Sequence, residues 1–420
     1  MIVALGVAVM LFAGLLAMTL KPQVATWFLL PLLLVGPWAG VDDGLLKAAL
    51  LGVLLMFLAR FGLQRDAAAM TAIVGLNVSL LLTIVNGLPL GLTDSDAFRA
   101  WAGYSFAFLA LLVNWPYRAR YSFRWIVALA APASVVLGAA LTASGLWDLA
   151  GRPDGGQLRL QGSLIPPHLA MLALIGVAIV LTDTASTFGR RATIVAGVNM
   201  AIVLATLTRG AILAMTAFVL VLAIPRLLGA RRQSQYRAIW TTAVGLCLGM
   251  LAAVPAILAR SAGTSYEGGF NSSGRSAAWQ FYWNLSEGYR ATGRGLGFSA
   301  IANEEYAPSG VQVNFVAPHN EYIHLILDGG VLLLTFYIVA FTMLLLGRRA
   351  RRARSLSKTS ALALAVMLAG FSYVDNPLST PQFLLPLLLL VACREPLRAF
   401  AVREDESADR IDSKTAGRPR

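Results

Sequence analysis

Residues 318–346 read PHNEYIHLILDGGVLLLTFYIVAFTMLLL, a polar tripeptide followed by a long apolar run whose only acidic or basic side chains are Glu321, His324 and Asp328. A run of this kind, near the ~20 residues needed to cross a bilayer, reads as a transmembrane helix. Working outward, comparable runs fall at roughly 2–20, 23–41, 44–60, 67–90, 97–115, 125–146, 166–182, 192–208, 210–228, 238–258, 321–346, 359–374 and 381–397. The expected fold is therefore all-α: residues 1–400 form a single polytopic membrane domain of about 12 transmembrane helices. The 260–320 segment forms a large loop before the last two or three helices, and 401–420 is a mixed-charge, disordered tail.

The composition agrees. With 57% hydrophobic and 13% charged residues and a mean hydropathy of +0.69, too little polar surface is available to cover a soluble globule. The first run lacks a basic n-region and a small-residue cleavage site, so it reads as a retained membrane segment. Cys247 and Cys393 lie in or at the end of apolar runs and read as small apolar side chains, not as a disulfide or a metal pair.

Basic clusters fall in alternate connections: Arg60/Arg65, Arg118/Arg120/Arg124, Arg190/Arg191, Arg231/Arg232/Arg237 and the run from Arg348 to Lys358. The positive-inside rule makes these cytoplasmic. The turns around Asp42-Asp43, Asp94-Asp96, Arg152-Arg159, Arg209, 260–320 and Asp375-Pro381 then face outward. The net charge of +13 is carried largely by the inward loops, so topology and anionic lipid explain it without nucleic acid.

Chemistry is expected on the outward side. His319 is the candidate general base, an imidazole able to take a proton near neutral pH where the loop re-enters the membrane, with Asn320 and Glu321 as candidate orienting groups. Arg209, in a tight turn between two apolar runs, sits where a charge is costly unless it has a role or a partner; the plainer reading is a snorkelling side chain. Arg275 opens an amphipathic helix with Trp279, Tyr282 and Trp283 at interfacial spacing. Gly293-Arg294-Gly295-Leu296-Gly297 reads as a turn whose amides approach a phosphate, although no strand precedes it as a nucleotide fingerprint requires. The plainer reading for Arg275 and Arg294 is solvation or a headgroup contact. His324 is read as packing, and Asp328 as a proton carrier or a packing residue beside Gly329-Gly330.

Thr208-Arg209-Gly210, Gly274-Arg275 with Trp279, Gly293 to Gly297, and Pro318-His319-Asn320 before a Leu-rich helix occur in an order that resembles the O-antigen ligase/polymerase family. Upstream, Arg159-Leu160-Gln161-Gly162-Ser163 is similar to that family's arginine-glycine segment, with His168 where an asparagine is common. The resemblance implies a GT-C-like, metal-independent glycosyltransferase of the bacterial inner membrane with a periplasmic active site and no cofactor. It implies an undecaprenyl-pyrophosphate-linked glycan as donor, lipid A-core as acceptor, and membrane lipids as further partners. His319, Arg209 and Arg275 are then catalytic, and Arg294, Arg159, Asn320 and Arg290 bind substrate.

A ligase is the favoured reading. A polymerase joining lipid-linked repeats, or a branch that glycosylates protein side chains, shares the chemistry. A metal-dependent transferase would use the acidic turns at Asp94-Asp96 or Asp42-Asp43. A carrier would place polar groups near the bilayer midplane and repeat its halves; here the charges cluster at one surface and no such repeat is evident.

Overall fold

The computed structural model describes residues 19–41, 43–151, 158–183, 187–229, 275–306, 317–347 and 356–392. The runs expected at 2–20 and 238–258, the loop from 260 to 274, and the tail at 401–420 lie wholly or almost wholly outside the described residues.

The chain is mostly helical. The segments are α1 (Pro22–Leu33, with one 3-10 turn inside it), α2 (Asp43–Phe61), α3 (Ala67–Val85), α4 (Asp94–Ser105) and α5 (Tyr117–Ala143). They continue with α6 (Pro166–Leu181), α7 (Ala192–Ala205) and α8 (Arg209–Gly229). After these come α9 (Arg275–Leu285), α10 (Phe298–Tyr306), α11 (Glu321–Leu345), α12 (Lys358–Val374) and α13 (Pro381–Ala392). One departure from an all-helical chain is a two-stranded antiparallel pair, β1 (Ala150–Gly151) with β2 (Arg159–Leu160).

Among the described residues, four helices are long and apolar enough to cross a membrane: Gly44–Phe61, Ala67–Val85, Tyr117–Ala143 and Glu321–Leu345. Pro22–Leu33, Pro166–Leu181, Arg209–Ala223, Lys358–Val374 and Pro381–Ala392 are apolar but shorter. Several expected spans are therefore interrupted: 23–41 breaks at Val35-Gly36, and 97–115 runs through a 3-10 turn at Phe106–Phe108 before its last turn at Leu109–Leu112.

The centre of the bundle is α6 and α13, whose side chains are buried on nearly every face. A helix apolar all round belongs in such a position. Outer helices leave large apolar groups exposed, among them Val136, Ile194 and Leu213. A lipid-facing surface accounts for exposure that water would penalise.

The connections fall into two groups by their contacts. At one end, Gln64 donates to the carbonyl of Leu111, Leu63 bridges Val113, Arg60 donates to Leu20, and Arg124 pairs with Asp183 at 3.2 Å. At the other end, the 86–93 loop meets α10 through Tyr306, which donates to the Leu90 carbonyl. There too Ser163 donates to Leu34, and Arg159 donates to Thr206. The second group contains the turns the charge pattern assigned outward.

The last long helix carries a built-in break. Gly330 has φ +68°, and the amides of Val331 and Leu332 bond to the carbonyls of Arg290 and Ala291 at 2.7 and 3.2 Å instead of continuing the helix. Arg294 N donates in turn to the Leu327 carbonyl at 2.7 Å. Irregular backbone at this depth persists only when its polar groups are met by protein. A Cβ at Gly330 would run into the Ala291 backbone, so glycine is required on two counts.

The topology has a direct test. In a chain whose Cys247 and Cys393 are replaced, Ser95→Cys and Glu287→Cys are expected to react in intact cells with an impermeant thiol reagent, and Lys358→Cys to react only after lysis. All three positions are exposed. Labelling of Lys358→Cys alone in intact cells would reverse the orientation.

Candidate functional site

His319 closes the loop before α11 in a left-handed backbone conformation, φ +46°. Asn320 is the N-cap of α11: its Oδ1 accepts from the amides of Tyr322 and Ile323 at 3.1 and 3.2 Å. That capping fixes where the helix begins. His319 Nδ1 lies 3.3 Å from Asp375 Oδ1, in the short connection between α12 and α13. The His319 side chain is about one third exposed, and Asp375 is buried.

Burial by itself pushes the Asp375 carboxyl up. The hydrogen bond and charge of His319, the Arg275 charge and the Asn376 amide outweigh burial and hold it below the ordinary carboxylate value. A carboxylate on Nδ1 sets the tautomer with its proton there and leaves the Nε2 lone pair as the basic site.

The two proposed catalytic arginines arrive at the same place. Arg275, the first residue of α9, donates to the Val374 carbonyl, next to Asp375. Gly210, the residue after Arg209, sits so close to α12 that a Cβ there would be 2.6 Å from Val374 Cγ2. Trp279 of α9 donates to the Pro318 carbonyl at 2.8 Å and stacks edge-on with Tyr373. The segments carrying Arg209, Arg275 and His319 thus converge on Tyr373-Val374-Asp375, although they are far apart in sequence.

The other expected site residues make contacts of their own. Arg159 is buried; its Nε donates to the Thr206 carbonyl at 2.8 Å and its NH2 to Thr208 Oγ1 at 3.2 Å. It therefore props the turn that presents Arg209. That turn contains Leu207 at φ +50°; Leu207 and His319 are the non-glycine residues with positive φ among the described residues. Such conformations cost of order 1–3 kcal/mol each and persist when the surroundings over-determine them. Both occur here.

Arg294 is caged, with its guanidinium over Tyr289 at 4.5 Å and Phe298 at 5.3 Å and its Nε donating to the Leu285 carbonyl. Arg290 stacks on Trp283 at 4.3 Å. The glycine-rich turn at 293–297 is not a phosphate cradle. Its amides at Gly293, Arg294 and Leu296 already donate to Tyr289, Leu327 and Thr83, and a Cβ at Gly293 would strike the Asp328 backbone. Arg294, Arg290 and their turn brace the break in α11. Asn320 caps α11 through its Oδ1.

Asp96 forms a capping box with Thr93 at the start of α4, its Oδ2 accepting from the Thr93 amide and hydroxyl. Asp42 is outside the described residues. His168 is partly buried near the start of α6. Asp328 accepts from the Ser299 amide at 2.8 Å and from Tyr104 at 3.2 Å.

Asp375 is the residue that sequence reasoning missed. An acidic side chain at the outward end of an apolar helix was the available signal, but the Asp-Asn-Pro turn reads as ordinary loop chemistry until His319 is placed beside it. Close by, an apolar groove of about 190 Å³ runs between α11 and α12. It starts at Glu321, Ser372 and Leu378, next to the His319 site, and reaches Leu345 and Ala365 toward the opposite end.

A polytopic helical membrane protein with an imidazole, a carboxylate and two arginines gathered at one end of its bundle is the class this geometry defines. Residues 192–338 match the family model described as O-antigen ligase. The matched span, about a third of the chain, takes in Arg209, Arg275, Arg294 and His319. No curated protein gives a significant match.

Proposed function

We propose that this protein is an O-antigen ligase that transfers O-antigen polysaccharide from undecaprenyl pyrophosphate to a sugar hydroxyl of lipid A-core. The reaction takes place at the periplasmic face of the bacterial inner membrane, with inversion and without a metal ion. The observation that carries this reading is the pairing of His319 Nδ1 with Asp375, 3.3 Å apart, beside Arg275 and the Arg209 turn.

A sugar hydroxyl is a weak nucleophile near neutral pH. In this mechanism His319 Nε2 takes the hydroxyl proton as the oxygen attacks the anomeric carbon from the face opposite the leaving group. The anomeric C–O bond to phosphate breaks, and its electron pair leaves with the pyrophosphate. Asp375 stabilises the imidazolium that forms. Arg209 and Arg275 offset the charge growing on the leaving group. The apolar groove between α11 and α12 suits the prenyl tail, since its site end lies beside His319 and its lining beyond Glu321 and Ser372 is mostly hydrocarbon.

The deciding assay gives purified protein a lipid-linked O-antigen with either lipid A-core or a second lipid-linked repeat. Product on lipid A-core supports a ligase; growth of the lipid-linked chain alone supports a polymerase, the second reading within the family. A chelator control belongs in the same assay. Undiminished activity is expected, and its loss would revive the acidic turn at Asp94 and Asp96.

Arg209→Lys and Arg275→Lys keep the charge and lose the guanidinium fork. One charge-assisted hydrogen bond, about 1.5–3 kcal/mol, corresponds to roughly a 10–100-fold fall in transfer. Normal membrane levels with full activity in both variants would reduce these arginines to lipid or packing contacts.

A further inference from the structure

Below the site, α11 carries a buried polar cluster that the transfer step does not use. Glu321, in the first turn, is 1% exposed, and its Oε2 accepts from the Leu378 amide at 2.8 Å. His324 Nδ1 lies 3.3 Å from Glu321 Oε1, an ion-pair separation whose angle falls short of a hydrogen bond. His324 Nε2 is 3.0 Å from the Tyr104 hydroxyl, which donates to Asp328 Oδ2 at 3.2 Å. With that hydroxyl proton committed to Asp328, the imidazole Nε2–H donates to the Tyr104 oxygen. Tyr337 packs edge-on against Tyr104, and the Lys47 side chain from α2 passes beside Gly103 in α4.

Burying a carboxylate is costly unless it is paired and hydrogen-bonded, and here one of its oxygens is spent on a backbone amide of the loop that carries Asp375. Residues 319–321 thus grip residues 375–378 at two points: His319 to Asp375 at the site, and Glu321 to Leu378 below it.

We propose that Glu321 is a positioning residue for transfer, holding the 375–378 loop at the height where Asp375 can orient the His319 imidazole, with the His324–Tyr104–Asp328 chain anchoring Glu321 from beneath. This rests on the reading of His319 as the base. A contact of about 1 Å precision set from outside the reacting groups can be worth ~10²-fold in rate, and this one acts through the loop, not on the substrate.

The experiment separates reach from charge, using the full-length purified protein in the lipid-linked O-antigen assay. Glu321→Gln keeps an oxygen within reach of the Leu378 amide and loses the charge. Glu321→Asp keeps the charge and shortens the reach by one methylene. Glu321→Ala loses both.

Expected are a fall in kcat of ~10²-fold for Glu321→Ala and Glu321→Asp, KM for the donor within about threefold of wild type, and kcat of Glu321→Gln within about threefold of wild type. Equal losses in Glu321→Gln and Glu321→Asp would overturn the proposal, as would wild-type kcat in Glu321→Asp or a change confined to KM. If Glu321→Ala fails to accumulate in the membrane, the Gln and Asp pair still decides. His319→Asn, run alongside, keeps the outcomes distinct: activity there defeats the base assignment, whereas activity in Glu321→Asp with an inactive His319→Asn defeats only the positioning role.

Discussion

His319→Ala is expected to lower transfer to lipid A-core by ~10²–10⁴-fold, the usual cost of deleting a general base, while the protein still inserts and binds the lipid-linked donor. Unligated lipid-linked polymer should then accumulate. Donor binding survives because the arginines, not a neutral imidazole, are assigned to the pyrophosphate. The measurement is capping of lipid A-core by gel, together with donor binding by the purified variant. His319 sits at φ +46°, a conformation that alanine adopts at a cost, so His319→Asn is the better companion because asparagine tolerates the left-handed region. Near-normal capping by either variant would sink the base assignment.

Asp375→Asn is expected to fall within the same ~10²–10⁴-fold range, for a different reason. The amide is nearly isosteric but uncharged, and its NH2 can donate to Nδ1. That would place the imidazole proton on Nε2, the nitrogen needed as the base, and the imidazolium would lose its counter-charge. The pH dependence follows from the sign of the shift. Asp375 is held below its ordinary value, so what its ionised form contributes is complete above that ordinary value and is lost only as pH falls through the lowered one. Between about pH 5 and 8 Asp375 therefore stays charged, and any pH dependence of the Asp375→Asn deficit in that window comes from groups other than Asp375.

The arginines divide sharply once their surroundings are known. Arg209, Arg275, Arg159, Arg290 and Arg294 all lie on the outward side of the charge pattern and look alike as letters. Arg159 is buried under the turn that presents Arg209, and Arg294 is enclosed by aromatic rings. Arg275 reaches the backbone beside Asp375. Arg159 is held by the distant 206–208 turn, which spacing along the chain does not show, whereas the rings around Arg294 come from Tyr289 and Phe298, close by in sequence.

The sequence by itself determined the membrane character and the helical class, and it carries the charge pattern from which a sidedness is proposed. Those follow from hydropathy summed over runs of ~20 residues and from the sidedness of arginine, both local quantities that need no contacts. It also picked out His319, since an imidazole at the membrane boundary stands out in a chain with three histidines. Only the tertiary structure decided that Asp375 is the partner of His319, that Asn320 is a cap, that the 293–297 turn repairs a broken helix, and that Glu321 reaches the Asp375 loop. The Asp375 and Glu321 contacts depend on packing against a segment 56 or more residues away and the 290–294 contacts on backbone amides whose partners are fixed only when the segments meet, whereas the Asn320 cap is local and needed the structure only to show where α11 begins. A carboxylate's role is set by which donor lies within about 3 Å of it, and hydropathy and spacing do not contain that distance.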